Sequence, residues 1–140
     1  MIIEIPKELQ KENINSAEKA YEIFKWVLKL QDEIDQDKEH MIVIGLKRNH
    51  RLKFIDIVSV GTLVGTMVSP REIFRRAITN AASTILIAHN HPSGNHTPSM
   101  QDISITKNLK EAGKIIDIQL CDHIIFSFDG FYSFANEGAL

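Results

Sequence analysis

Two stretches of the chain, Met41-Ile42-Val43-Ile44-Gly45-Leu46 and Ser83-Thr84-Ile85-Leu86-Ile87-Ala88, are short, almost wholly apolar and rich in β-branched residues. Such runs read as strands covered on both faces, which requires helices on each side of a sheet. The remaining pattern supplies both. Leu52, Phe54, Ile57, Val58 and Val60 continue from a polar turn at Lys47 to Arg51 and end at Gly61, as expected for the second strand of an antiparallel hairpin.

Three helices are predicted. Asn15-Ser16-Ala17-Glu18 has the form of a capping box, and Ala20, Tyr21, Phe24, Val27 and Leu28 recur at helical spacing to near Leu30. Ser69-Pro70-Arg71-Glu72 opens a second helix with Ile73, Phe74, Ala77, Ile78 and Ala81 on its stripe. Ser99-Met100-Gln101-Asp102 opens a third, with Ile103, Ile105, Leu109 and Ala112 inside and Gly113 as its expected stop. Ile115 to Leu120 alternates, His123 to Phe128 reads as a strand, Asp129-Gly130 as a hairpin turn, and Phe131 to Phe134 as a last strand. Residues 1–15 show no period and are expected to form an arm, and Gln31 to Glu39 a loop or frayed helix end. The predicted order, α-β-β-α-β-α-β-β-β, describes a single α/β domain over 16–140 with a mixed sheet flanked by helices.

A chain of 140 residues with 44% hydrophobic content buries enough surface to fold without a disulfide or a structural metal, so a bound metal would serve chemistry. The single Cys121 excludes an internal disulfide and a multi-cysteine zinc site, and a reducing, cytoplasmic compartment is expected. No apolar run reaches the length of a membrane span, and the N-terminus lacks the form of a signal peptide. The net charge of -2 offers nucleic acid no long-range attraction. The basic clusters Arg48 to Lys53 and Arg71 to Arg76 read as a hairpin turn and an exposed helix face.

The chemistry concentrates in His89 to Asp102. His89 and His91 stand two apart at a strand end, so their imidazoles share one side with Cα atoms roughly 7 Å apart, within reach of one ion. Asp102 lies in the first turn of the next helix, brought back by a loop containing Pro92, Gly94 and Pro98. Three protein ligands leave a tetrahedral ion an open position, the arrangement of a catalytic zinc site, and two imidazoles with one carboxylate suit zinc better than magnesium or calcium. Such an ion binds water and lowers its pKa toward about 7, and a carboxylate is then wanted as proton shuttle. Glu39, at the entry of a buried strand, is one candidate; Glu33, Glu72 and Asp122 are equally available on these grounds. Ser99 is at minimum a helix cap. His96, inside the loop, is placed to gate the site or compete as a ligand. Cys121-Asp122-His123 reads as a buried inert thiol and a turn aspartate rather than a second site.

Glu39 followed by His89-x-His91, a seven-residue spacer that begins with Pro92, and Ser99-x-x-Asp102 resembles the JAMM (MPN+) metalloprotease signature. Within that superfamily the chain is most similar to the bacterial RadC-like proteins over about residues 39–138. The similarity runs through Gly61-Thr62-Leu63, Ser69 to Phe74, His89 to Gly94, Pro98-Ser99, Ala112-Gly113 and Asp122-His123-Ile124. The resemblance implies a deaminase-like (JAB/MPN) α-β-α sandwich and one zinc per chain held by His89, His91 and Asp102. It also implies that Glu39 holds and deprotonates the bound water, that Ser99 donates a hydrogen bond to the oxyanion, and that the reaction is hydrolysis of a peptide or isopeptide bond. A peptide or protein tail is the substrate class so implied. The alternative is a non-enzymatic accessory of DNA repair or mobile elements that binds a partner or DNA. The longer RadC proteins carry a helix-hairpin-helix-like region ahead of this domain; about 38 residues precede Glu39 here, without a Gly-containing hairpin, so that region's DNA contacts are not expected.

Overall fold

The computed structural model describes residues 1–61 and 68–140. Thr62 and Leu63, which contribute to the resemblance, lie outside the described residues. The fold is a mixed six-stranded sheet in the order β1-β3-β2-β4-β5-β6. Its strands are β1 (Ile2–Ile3), β2 (Glu39–Leu46), β3 (Leu52–Gly61), β4 (Thr84–Asn90), β5 (Gln119–Ser127) and β6 (Gly130–Ser133). Among the described residues only β4 and β5 pair in parallel. The helices among those residues are α1 (Lys7–Gln10), α2 (Ala17–Lys29), α3 (Glu33–Gln36), α4 (Pro70–Thr79) and α5 (Met100–Ile116).

The apolar strands β2 and β4 are neighbours at the centre of the sheet, as two-sided burial demands. Their alternate residues feed two cores. Ile42, Ile44, Leu86 and Ala88 face α2 through Phe24, Val27 and Leu28. Met41, Val43, Ile85 and Ile87 face α4 and α5 through Ile73, Phe74, Ala77 and Leu109. The result is an α-β-α sandwich, the expected class. No helix among the described residues is long and apolar enough to cross a membrane.

Ser16, Ser69 and Ser99 all cap helices, accepting from the backbone N–H three residues on. At Ser16 the third position is Lys19, so no reciprocal carboxylate bond forms, unlike at Ser99. Residues 1–15, expected as an arm, instead lie on the domain: β1 pairs with β3, Asn13 bridges Arg51, Ile3, Ile5 and Leu9 pack on the α2-side core, and Ile14 is buried. Within Gln31 to Glu39 a single helical turn, α3, precedes β2.

Gly113 does not end the third helix. α5 continues to Ile116 and closes at Asp117, which takes a left-handed φ of 60°. Ile115 is therefore an exposed helix residue, and β5 is one strand from Gln119 rather than two. Gly113 serves close approach instead: a Cβ there would fall 2.4 Å from the carbonyl oxygen of Ile118, where the chain turns back against the helix. Gly113→Ala is expected to destabilise the domain by about 1–3 kcal/mol through this backbone clash, exceeding the roughly 1 kcal/mol that alanine adds to helix propensity. A lowered urea midpoint checks this; an unchanged or raised one would contradict it.

Candidate metal centre

Three features of the sequence bring the central cluster together. His89 follows Ile85 and Ile87 on the α4/α5 face of β4. His91 lies just past the strand, where its N–H donates to the Phe126 carbonyl of β5 at 2.8 Å. A turn then closes from Gly94 N–H to the His91 carbonyl, with Gly94 at φ 85°, a conformation glycine adopts without strain. Asp102 is the third residue of α5 and begins its buried stripe, which continues through Thr106, Leu109 and Gly113. The ligand-type atoms of His89, His91 and Asp102 lie within 4.8 Å of one another.

The capping box does more than start the helix. Ser99 Oγ accepts from the Asp102 N–H at 3.1 Å, and Asp102 Oδ2 accepts from the Ser99 N–H at 2.8 Å. The carboxylate is thereby held with Oδ1 3.1 Å from His89 Nε2 and Oδ2 3.6 Å from His91 Nε2.

Hydrogen bonding fixes which nitrogen of each imidazole faces the cluster. The Thr106 hydroxyl donates to the Asp102 carbonyl at 2.7 Å, so toward His123 Nδ1, 2.6 Å away, it acts as acceptor. His123 is fully buried and burial drives its pKa well below the ordinary value, so the ring is neutral with its proton on Nδ1. Its Nε2 then accepts from His89 Nδ1 at 2.9 Å, leaving the His89 Nε2 lone pair for the cluster. Likewise the Asn95 carbonyl accepts a hydrogen bond from His91 Nδ1–H at 2.7 Å, which leaves the His91 Nε2 lone pair facing the cluster.

Two imidazole lone pairs 2.9 Å apart and a carboxylate thus converge with no donor among them. Acceptors so arranged require a cation or a proton between them. The Asp102 hydrogen bond, against the opposing effect of burial, raises the proton affinity of His91. Burial opposes ionisation of Asp102, but the adjoining His89 and His91 imidazoles, which favour its charged form, outweigh it and hold the carboxyl well below the ordinary range. The donor set fits zinc, and His89 Nε2, His91 Nε2 and Asp102 are the atoms and residue that would hold it.

Glu39 opens β2 on the same sheet face as Met41 and Val43, hence as His89. β2 pairs with β4 as far as Met41 opposite His89, and two further residues bring Glu39 level with His91. The charge of Glu39 is among those that raise the proton affinity of His91. The other acids are elsewhere. Glu33 is exposed in α3 and Glu72 lies in the first turn of α4.

Asp122, expected in a turn, is buried in β5, where it accepts from the N–H groups of His123 and Ala135 and from the Ser133 hydroxyl. It ties β5 to the segment after β6. Burial raises the Cys121 pKa, as befits an unreactive thiol. His96 stands apart from the cluster, with Nε2 2.7 Å from Ser127 Oγ and its ring against Gly130.

The sequence named His123 only within Cys121-Asp122-His123 and the segments of family similarity, not as a support for His89, and Thr106 not at all. The signals for these roles were a histidine in a buried strand, inside a segment of family similarity, and a Thr four residues after Asp102 on the same helix face. Phe134 stacks on the His123 ring with planes 8° apart. His123→Phe would keep that packing while orphaning His89 Nδ1–H, and is expected to weaken zinc binding about 10- to 100-fold. Competition with a chromophoric chelator measures this; wild-type affinity would show that His123 does not orient His89.

The family model for the RadC-like JAB domain matches residues 14–139. A UPF0758 protein of Desulforamulus reducens is 41% identical over 113 residues, covering 81% of this chain and 50% of that protein. Another from Chlorobaculum parvum is 38% identical over 130 residues, covering 91% and 57% respectively. The chain spans about half the length of the curated relatives it matches. The fold, the arrangement of His89, His91 and Asp102 and these matches agree, and the chain belongs to the RadC-like JAB domain family.

Proposed function

We propose that the chain is a zinc-dependent hydrolase acting on a peptide or isopeptide bond in a peptide or protein tail. One observation carries the reading: two imidazole lone pairs and a carboxylate, each oriented by its own hydrogen bonds, converge where only a cation or proton satisfies them. Zinc held by His89, His91 and Asp102 would supply a Lewis acid that lowers the pKa of water toward about 7. Glu39 takes the proton of the attacking water on its carboxylate and delivers it to the leaving amine. Ser99 uses its oxygen lone pair for the Asp102 N–H, so its hydroxyl hydrogen is available to the oxyanion of the tetrahedral intermediate. A binding scaffold has no need of ligand atoms presented in this way, which favours the hydrolase over the accessory role.

The test is cleavage of a peptide library and of isopeptide-linked peptide pairs by the zinc-loaded chain, followed by mass spectrometry. Products that vanish on chelation and return with zinc are expected. Zinc-loaded protein that cleaves nothing across both panels would overturn the hydrolase reading.

A further inference from the structure

The ladder between β2 and β4 runs from Leu46 opposite Thr84 to Met41 opposite His89 and stops there. A side chain takes over where it stops. Asn90, 1% exposed, accepts at Oδ1 from the His40 N–H at 2.7 Å and donates from Nδ2 to the Lys38 carbonyl at 2.9 Å. The two backbone groups so gripped flank Glu39. A primary amide is suited to this because it offers one acceptor and one donor, as a peptide unit does; a carboxylate supplies only acceptors. The buried His40 ring adds a second bond to the Lys38 carbonyl from Nδ1, at 2.8 Å.

Asn90 also lies between His89 and His91. The segment that carries both imidazoles therefore grips the backbone on either side of the carboxylate. The three cluster residues have other supports: His123 for His89, the Asn95 carbonyl for His91 and the capping box for Asp102. Among the described residues no side-chain hydrogen bond or ion pair anchors the Glu39 carboxylate, so its position depends on its backbone.

We propose that Asn90 is a positioning residue that fixes Glu39 relative to His89 and His91. The inference rests on the reading of Glu39 as the proton-moving carboxylate of a metal site. Asn90→Ala removes both bonds. Asn90→Asp keeps an acceptor for the His40 N–H and loses the donor to Lys38.

Cobalt(II) alone is the probe, because its visible bands report on the surroundings of the ion without any substrate. Titration of the full chain compares wild type, Asn90→Ala, Asn90→Asp, Glu39→Gln and the double variant Glu39→Gln/Asn90→Ala. Cobalt affinity in Asn90→Ala is expected within about tenfold of wild type, less than loss of a direct ligand support produces. Its bands are expected to shift in the direction seen for Glu39→Gln, and the double variant to match Glu39→Gln alone. With a cleavable peptide, kcat should fall about tenfold or more at unchanged KM. Wild-type bands in Asn90→Ala, additive shifts in the double variant, or a larger loss of affinity would each overturn the inference while leaving the metal site standing. If Asn90→Ala fails to fold, Asn90→Asp carries the same comparison. A wild-type chain that binds no cobalt would overturn the metal reading and this inference with it.

Discussion

His91→Ala and Asp102→Asn, purified without a histidine tag, are expected to retain essentially no zinc where the wild type carries about one ion per chain. Neither change touches the two cores. His91 is half-buried beyond the end of β4, and an amide at 102 still accepts from the Ser99 N–H. Above the pH at which the His91–Asp102 pair contributes, unfolding midpoints of the metal-free proteins are therefore expected to stay near wild type, in line with a domain of this size that needs no metal to fold. Zinc analysis by plasma mass spectrometry together with denaturation separates the two effects. Zinc retained by both variants would sink the assignment, and loss of fold with the zinc would make the ion structural.

The same residues set a pH dependence with a definite sign. The proton affinity of His91 is raised by Asp102, so the His91–Asp102 pair stabilises the metal-free fold fully below the ordinary 6.5 and loses that contribution as pH rises through the higher folded value. Zinc needs the imidazole unprotonated, so its affinity should rise across that same window. In Asp102→Asn the raised value relaxes toward the ordinary one. Chelator competition on the wild type at several pH values between about 5 and 8 reads this rise, and a flat profile would count against His91 as a ligand.

How much of this was legible follows from where the partners lie. The ligand set fits within one strand, one loop and one helix turn, and each piece has a local rule: period two at His89 and His91, glycine in the loop, a capping box at Ser99 and Asp102. Glu39 lies 50 residues before His89, and on residue grounds alone it stood level with Glu33, Glu72 and Asp122; the family resemblance singled it out. What was missed depends on packing. His123 meets His89 across parallel strands joined by α5, a pairing that no sequence period announces. Gly113 resembled a helix stop because stop and close approach both call for glycine, and only the path of Ile118 distinguishes them. The first 15 residues lacked a period because their apolar side chains are divided between a two-residue strand and one helical turn, each too short to repeat.

Glu39→Gln should lower kcat by about 10²- to 10⁴-fold, the usual contribution of a positioned proton-transfer group, with zinc content unchanged and KM little affected. Glutamine keeps the size and hydrogen-bonding reach of the side chain but has no site to carry a proton at neutral pH. The contrast with the ligand variants gives the result its meaning. His91→Ala should lose zinc and turnover together, because it removes a holder of the ion. Glu39→Gln should lose turnover alone, because Glu39 stands outside the convergent set of His89, His91 and Asp102 and acts through a proton. Zinc analysis and single-turnover cleavage of one peptide, run on the same preparations, separate the two. Were zinc lost with Glu39, the carboxylate would be a ligand and the proton-transfer role would pass to another group. Turnover kept within about threefold would show that the attacking water needs no help from this carboxylate, since a working general base is worth far more than that.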